Sequence, residues 1–170
     1  MFIPQHNKKV MRVFSKLVSG LNRMGITPIV YGSLGLAFLI KKQIPINDID
    51  IILLDDEFNN RWNDIRKFLT KDMKYTTDPE HKQEFLNDIF VSFMSVSDIR
   101  KLTEINISQL QKTIKNKISY YNLTPNQHLD IYKNGLLNKF RRQKREKDDK
   151  NKIDLIRKYL LKNNETQIFN

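Results

Sequence analysis

The chain of 170 residues, with 39% hydrophobic and 29% charged residues, is long and apolar enough for one compact domain with a helical appendage. It contains no apolar run of about 18 residues that could span a membrane and no apolar signal segment, so we expect a cytoplasmic protein without a membrane partner. The net charge is +11, and residues 139–162, with eleven Lys or Arg against four Asp or Glu, fit either RNA binding or a solvated basic helix.

Alternating periodicities in the first half of the chain predict a helix, two strands and two further helices. Apolar residues recur at intervals of three and four before Gly25, which is typical of an amphipathic helix with a glycine cap. One short segment rich in β-branched residues lies just before Gly32, and a second follows the polar break at residues 45–47. In chain order we predict a helix over 8–24, a strand over 28–31, a helix over 34–41, a strand over 48–54 and a helix over about 59–69.

The second half predicts a hairpin, one strand and two helices. Apolar runs over 82–86 and 89–96 flank Asn87 and Asp88, and a strand candidate covers 113–121. Thr124 and Pro125 supply an N-cap and a first-turn proline for the next helix, and a final helix is expected from near Asp148.

Two aspartates on the predicted strand over 48–54 are the strongest chemical signal. Asp48 and Asp50 are two residues apart, so both carboxylates project from one face of the strand. Their mutual repulsion is costly unless a cation lies between them, and magnesium is commonly held by one or two carboxylates together with substrate phosphates. Taken alone, an Asp-x-Asp pair is more often a turn cap and a solvent-facing residue.

Gly32 and Ser33 strengthen that interpretation. They follow a short apolar strand and precede a helix, with the paired aspartates one helix later. Glycine permits close approach of a phosphate to the backbone, and the serine hydroxyl and helix N–H groups can bind its oxygens.

This pattern resembles the signature of the nucleotidyltransferase superfamily, which has the polymerase-beta-like fold. The matching residues are Ile29-Val30-Tyr31-Gly32-Ser33 and Asp48-Ile49-Asp50, and the resemblance directly covers residues 28–54. It implies a mixed-sheet α/β fold flanked by helices, with Asp48 and Asp50 as metal ligands for Mg²⁺ or Mn²⁺ and a nucleoside triphosphate as substrate.

In that family a third carboxylate on a neighbouring strand helps to activate the attacking hydroxyl. Glu84 is our candidate, because it lies in a predicted strand, and Asp88 in the predicted turn is the competitor. Ser92 stands where some relatives place the acid, which leaves a catalytically inactive member of the fold as the alternative.

Residues 145–148, Arg-Glu-Lys-Asp, are similar to an element at the head of a C-terminal helix in antitoxin-paired and abortive-infection nucleotidyltransferases. The similarity implies that Lys147 reaches the nucleotide phosphates and that Asp148 orients it. A plain helix N-terminus capped by Asp148 is the other explanation. We expect His81 and His128, which have no partners at metal-ligand spacing, to be structural or surface residues, and Trp62 to lie in the core. Without cysteine, any metal should be held by oxygen.

Together these features predict a nucleotidyltransferase core over residues 1–122 and a C-terminal helical extension over 123–170. We expect a magnesium-dependent enzyme that moves a nucleotidyl group to a hydroxyl of RNA or tRNA, a protein, or a small molecule such as an aminoglycoside. The alternatives are an inactive RNA- or protein-binding member of the fold and a toxin that a cognate antitoxin masks.

Overall fold

The computed structural model describes residues 5–78, 81 and 83–168, with side chains for 8–78, 81 and 83–163. Lys82, the first residue of one predicted strand, lies outside the described residues, as do residues 1–4 and 169–170 of the two predicted domains. None of the described helices is long and apolar enough to cross a lipid bilayer. The elements in chain order are α1 (Gln5–Arg23), β1 (Ile29–Tyr31), α2 (Gly32–Ile40), β2 (Asp48–Leu53), α3 (Asp55–Lys67), a π-helical turn (Phe68–Asp72), β3 (Thr76–Thr77), β4 (Glu84–Leu86), β5 (Phe90–Ser95), α4 (Val96–Ile99), a 3₁₀ turn (Ile107–Gln109), β6 (Gln111–Lys115), β7 (Ile118–Asn122), α5 (Pro125–Gly135) and α6 (Lys139–Ile168).

The strands form one mixed sheet of seven strands in the order β3-β4-β5-β2-β1-β7-β6. The pairs β2–β5 and β1–β7 are parallel, and the other neighbouring pairs are antiparallel. With helices beside this sheet, the predicted α/β class is confirmed. The predicted hairpin around Asn87 and Asp88 is also present as β4 and β5.

Side-chain alternation along β2 separates a face in the main hydrophobic core from the face that carries Asp48, Asp50 and Ile52, the last of which belongs to a second buried cluster. Ile49, Ile51 and Leu53 are fully buried in the main hydrophobic cluster, together with residues of α1, α2, α3 and β5. Asp48 and Asp50 alternate with them and therefore project from the opposite face. This alternation holds the two carboxylates at the sheet surface by burying their neighbours.

The first helix confirms its predicted pattern. Val10, Phe14 and Leu17 are completely buried, and Phe14 makes edge contacts with Phe38 and Tyr120. Gly25, with a φ of +79°, follows the last turn, and its N–H donates to the carbonyl oxygen of Asn22. The glycine cap is thus confirmed, because this backbone conformation is strained for other residues.

Two elements differ from their predictions. Residues 113–121 are not one strand but parts of the hairpin β6–β7, because Asn116 and Lys117 both adopt left-handed backbone conformations and reverse the chain. The last helix begins at Lys139 rather than near Asp148. Asn138 caps it, since its side-chain oxygen accepts from the N–H groups of Phe140 and Arg141. The segment that follows is rich in Lys, Arg, Gln and Glu, which favour helix without an apolar stripe.

The start of α5 offers a test of local stability. Thr124 Oγ1 accepts from the N–H of Gln127 at 3.3 Å, and Gln127 Oε1 accepts from the N–H of Thr124 at 2.9 Å. Replacing Thr124→Ala should lower the free energy of unfolding by about 1 kcal/mol, whereas Thr124→Ser should retain most of it. Urea unfolding followed by circular dichroism measures both variants. Equal losses in the two variants would show that the hydroxyl group is not the source of the stability.

Candidate functional site

A row of paired residues crosses four adjacent strands on the face of the sheet from which Asp48 and Asp50 project, which we call the acid-bearing face. Asp50 pairs with Tyr31 on one side and with Ser92 on the other, and Ser92 pairs with Glu84. Directly paired residues share a face, so Asp50, Ser92 and Glu84 project in the same direction, as does Asp48. The Ser92 hydroxyl donates to Asp50 Oδ1 at 2.7 Å.

Gly32 lies directly against Asp50. Its φ is +63°, and a β-carbon built on it would overlap Asp50 Oδ2, so both conformation and space require glycine here. Ser33 is buried in the first turn of α2, and no side chain caps that turn. The first N–H groups of α2 therefore remain available to an anion close to the two acids. The structure brings together the predicted bend and the predicted carboxylates.

The pKa of the Asp50 carboxyl is raised to about 7, chiefly by burial and secondly by the negative charge of Asp48. Asp50 keeps some contact with solvent, but the surrounding protein atoms displace most of the water that would stabilise its charge. The Ser92 hydrogen bond and the positive charges of Lys152 and Arg141 oppose this effect. The site thus contains a carboxyl pair whose double ionisation is unfavourable without an added cation.

The C-terminal helices contribute charged groups to the same region. Arg141 donates to both carboxylate oxygens of the fully buried Asp149, at 2.8 and 3.1 Å. Lys152, with only 8% of its side chain exposed, pairs with Asp148 at 2.7 Å and lies over the Tyr132 ring. These two cations are the ones whose charge acts on Asp50.

Tyr132 on α5 carries a buried hydroxyl that has no hydrogen-bond partner among the described residues. Burial raises the pKa of this phenol, and the charges of Asp50 and Asp149 raise it further, which locates the hydroxyl near both carboxylates. A buried polar atom without a partner costs free energy, so this hydroxyl is a hydrogen-bond donor in need of an acceptor close to the two acids.

The predicted residues of the C-terminal element occupy different surroundings. Lys147 is exposed, and helical periodicity turns it away from the face that carries Asp148 and Lys152. Asp148 is half-exposed and holds Lys152. Sequence analysis missed Arg141, Asp149 and Lys152, although their spacing of eight and three residues indicates one face of a helix.

Glu84 lies on the acid-bearing face, one strand beyond Ser92 and, at the usual strand spacing, about 10 Å from Asp50 between α-carbons. Its carboxylate lies 3.7 Å from His81 Nδ1, which is also 3.4 Å from Asp78 Oδ1. These three side chains could together ligate a metal ion, so the expectation that His81 lacks suitable partners was wrong. Asp88 lies in the turn and pairs with Lys9, with 71% of its side chain exposed.

His128 and Trp62 are structural residues, as predicted. His128 is buried, and its Nε2 donates to Asn122 Oδ1 at 3.3 Å, because the Asn122 amide nitrogen donates to the carbonyl oxygen of Gly35 at 2.8 Å. Burial lowers the pKa of His128 to about 3, so its imidazole is neutral. Trp62 stacks on Phe58 and packs against the buried Phe85 and Phe93.

Two solved structures share the fold of this chain, and one curated protein is similar in sequence. No family model matches the chain. The uncharacterized protein YnaI of Bacillus subtilis (strain 168) is 26% identical over 154 residues, which cover 89% of this chain and 98% of YnaI. The solved structure of ANT(2")-Ia in complex with adenylyl-2"-tobramycin superposes with a TM-score of 0.63 at 10% identity, covering 89% of this chain and 90% of that one. An antigenic nucleotidyltransferase-like protein from Paracoccidioides brasiliensis gives 0.53 at 14% identity, covering 85% and 73%.

The raised pKa of Asp50 predicts a pH-dependent gain of stability in the variant Asp50→Asn. Between about pH 4 and pH 7 the unfolded chain loses this proton while the folded protein keeps it, so folding becomes less favourable as the pH rises. In metal-free buffer at pH 8, the free energy of unfolding of Asp50→Asn should therefore exceed that of the unmodified protein by about 1–3 kcal/mol. Its unfolding temperature should be correspondingly higher. The difference should vanish near pH 4, as measured by thermal unfolding.

Asp88→Asn is the matched control for that measurement. The hydrogen bond and charge of Lys9 lower the pKa of Asp88, so removal of its charge should give no gain at pH 8. An Asp50→Asn variant that is destabilised equally at both pH values would contradict the assignment.

Proposed function

We propose that the protein is a divalent-metal-dependent nucleotidyltransferase, which transfers a nucleoside monophosphate from a nucleoside triphosphate to a hydroxyl acceptor. Its fold is that of the nucleotidyltransferases with which it superposes. The observation that carries the proposal is the contact of Asp50 with Gly32, next to Asp48 and to the uncapped first turn of α2. Metal-binding acids and phosphate-binding N–H groups thereby adjoin one another.

The donor set at this position fits Mg²⁺ or Mn²⁺. Asp48 and Asp50 offer hard oxygen ligands, and burial together with the charge of Asp48 raises the pKa of Asp50, so a cation would favour the ionised form of both acids. When bound, the metal ion would supply positive charge for the triphosphate and for the charge that develops at the reacting phosphorus.

Phosphate oxygens of the substrate have three kinds of donor within this region. The N–H groups of the first turn of α2 and the Ser33 side chain form one side. Lys152 supplies a positive charge from α6, and the Tyr132 hydroxyl supplies a neutral donor from α5. We assign the phosphate-binding role to Lys152 rather than Lys147, because Lys152 is the cation whose field reaches Asp50.

The transfer itself is a substitution at the α-phosphorus. The acceptor oxygen forms a bond to this phosphorus, the bond from phosphorus to the bridging oxygen of pyrophosphate breaks, and pyrophosphate leaves with both electrons of that bond. The acceptor proton passes to a base, for which Glu84 is the candidate on the acid-bearing face. Alignment of the substrate and compensation of its charge are the main contributions of such sites.

A catalytically inactive member of the fold is the second candidate, and one observation favours it. On β5, the strand next to β2, the residue paired with Asp50 is Ser92, and no carboxylate occupies that position. Such a protein would bind RNA or a protein partner without transferring a nucleotidyl group. The toxin alternative and the expected cytoplasmic location remain predictions in either case.

Incubation with each labelled nucleoside triphosphate, Mg²⁺ and total cellular RNA tests the proposed reaction. The unmodified protein should transfer label to an acceptor, and Asp48→Asn should reduce the rate at least a thousandfold, since the site would lose metal charge at the reacting phosphorus. Asp88→Asn serves as the control for a lost surface carboxylate. Magnesium-independent triphosphate binding that Asp48→Asn leaves intact would instead support the inactive alternative.

The comparison of Lys152→Met with Lys147→Met tests the phosphate contact. Both changes remove one positive charge from α6, but only Lys152 is buried beside the acids. We expect Lys152→Met to weaken triphosphate binding about tenfold to a hundredfold in calorimetry, and Lys147→Met to change it less than threefold. If Lys147→Met weakened triphosphate binding more than Lys152→Met, Lys147 would be the phosphate-binding residue instead.

A further inference from the structure

A cavity of about 470 Å³ lies between the end of α2 and the last turns of α6. Lys41 and Lys42 line it from the segment that follows α2, and Lys158 and Lys162 line it from α6. Leu155 and Tyr159 form its apolar floor, and within the described part of the chain no acidic residue lines it. We refer to these four lysines as the lysine groove.

Three lysines of the groove have no ion pair among the described residues: Lys41, Lys42 and Lys158. Lysines after a helix C-terminus interact favourably with its dipole, which accounts for Lys41 and Lys42. It does not account for Lys158, whose approach to them costs repulsion unless an anion lies between.

The groove and the candidate site lie at opposite ends of α2. The first turn of α2 contacts Asp50 and its last turn borders the groove, so nine residues of helix, about 13 Å, separate the two. On α6, Lys152 faces the acids, and Leu155 and Tyr159, three and seven residues later, follow on the same side.

We propose that the lysine groove binds the phosphodiester backbone of a single-stranded RNA whose terminal hydroxyl is the acceptor at Asp48 and Asp50. This inference rests on the proposed function, since it identifies the acceptor of that reaction. The apolar floor allows a base or ribose to pack on Leu155 and Tyr159 while the four ammonium groups contact phosphates. A polycationic acceptor such as an aminoglycoside would be repelled by the same lysines.

The test compares two double variants of equal charge. Lys42→Ala with Lys158→Ala removes half of the groove lysines, and Lys115→Ala with Lys133→Ala removes two exposed lysines elsewhere. The probes are fluorescent single-stranded RNA and DNA of 20 nucleotides, measured by anisotropy over a series of salt concentrations. We expect the groove variant to bind RNA about tenfold more weakly than the unmodified protein. The slope of log affinity against log salt concentration should become shallower by about 1.4, and the control variant should change little in either quantity.

Triphosphate binding and label transfer separate this inference from the proposed function. The groove variant should bind Mg²⁺ and the nucleoside triphosphate normally in calorimetry but transfer less label to RNA. Three outcomes would overturn the inference. They are an equal weakening of RNA binding in both double variants, a loss of triphosphate binding in the groove variant, and preferential labelling of DNA. Groove-dependent RNA binding in a protein that binds no triphosphate would support the groove and refute the proposed function.

Discussion

The contact between Asp50 and Gly32 is the constraint on which the rest of the site depends. A side chain on residue 32 would occupy the space of the carboxylate, and the left-handed backbone there turns β1 directly into α2. This single turn therefore places the N-terminus of α2 next to Asp50, the candidate metal ligand. Alternation along β2 adds Asp48 to the same face, because Ile49 and Ile51 are held in the core.

The C-terminal helices complete the charge balance of this region. Arg141 and the buried Asp149 form a bidentate pair within α6, and the side chain of Arg141 packs over Gly135 of α5. Lys152, three residues after Asp149 on the same helix, is the α6 lysine whose charge acts on Asp50. Removal of either partner would leave the other charge without compensation, which is why such pairs are costly to break.

The sequence allowed much of this arrangement to be predicted, and the failures have physical causes. Local signals were sufficient for the bend at Gly32, for the strand with Asp48 and Asp50, and for the cap at Thr124, since each depends on neighbouring residues. The turn at Asn116 and Lys117 was missed because β-propensity on both sides obscured a reversal that needs only two left-handed residues. Lys152 was missed because its role depends on the rotation of α6 against a distant strand. Likewise, the proximity of His81 to Glu84 depends on how the chain folds back between β3 and β4.

The hydrogen-bonded series from His128 through Asn122 to the backbone of Gly35 joins α5, β7 and α2. Because the imidazole stays uncharged far below neutrality, this connection is insensitive to acidification of the cell. The carboxyl of Asp50, by contrast, changes its proton occupancy close to neutral pH. Protons taken up near neutrality therefore alter the charge of the candidate site, while the link between α5, β7 and α2 keeps its protonation state.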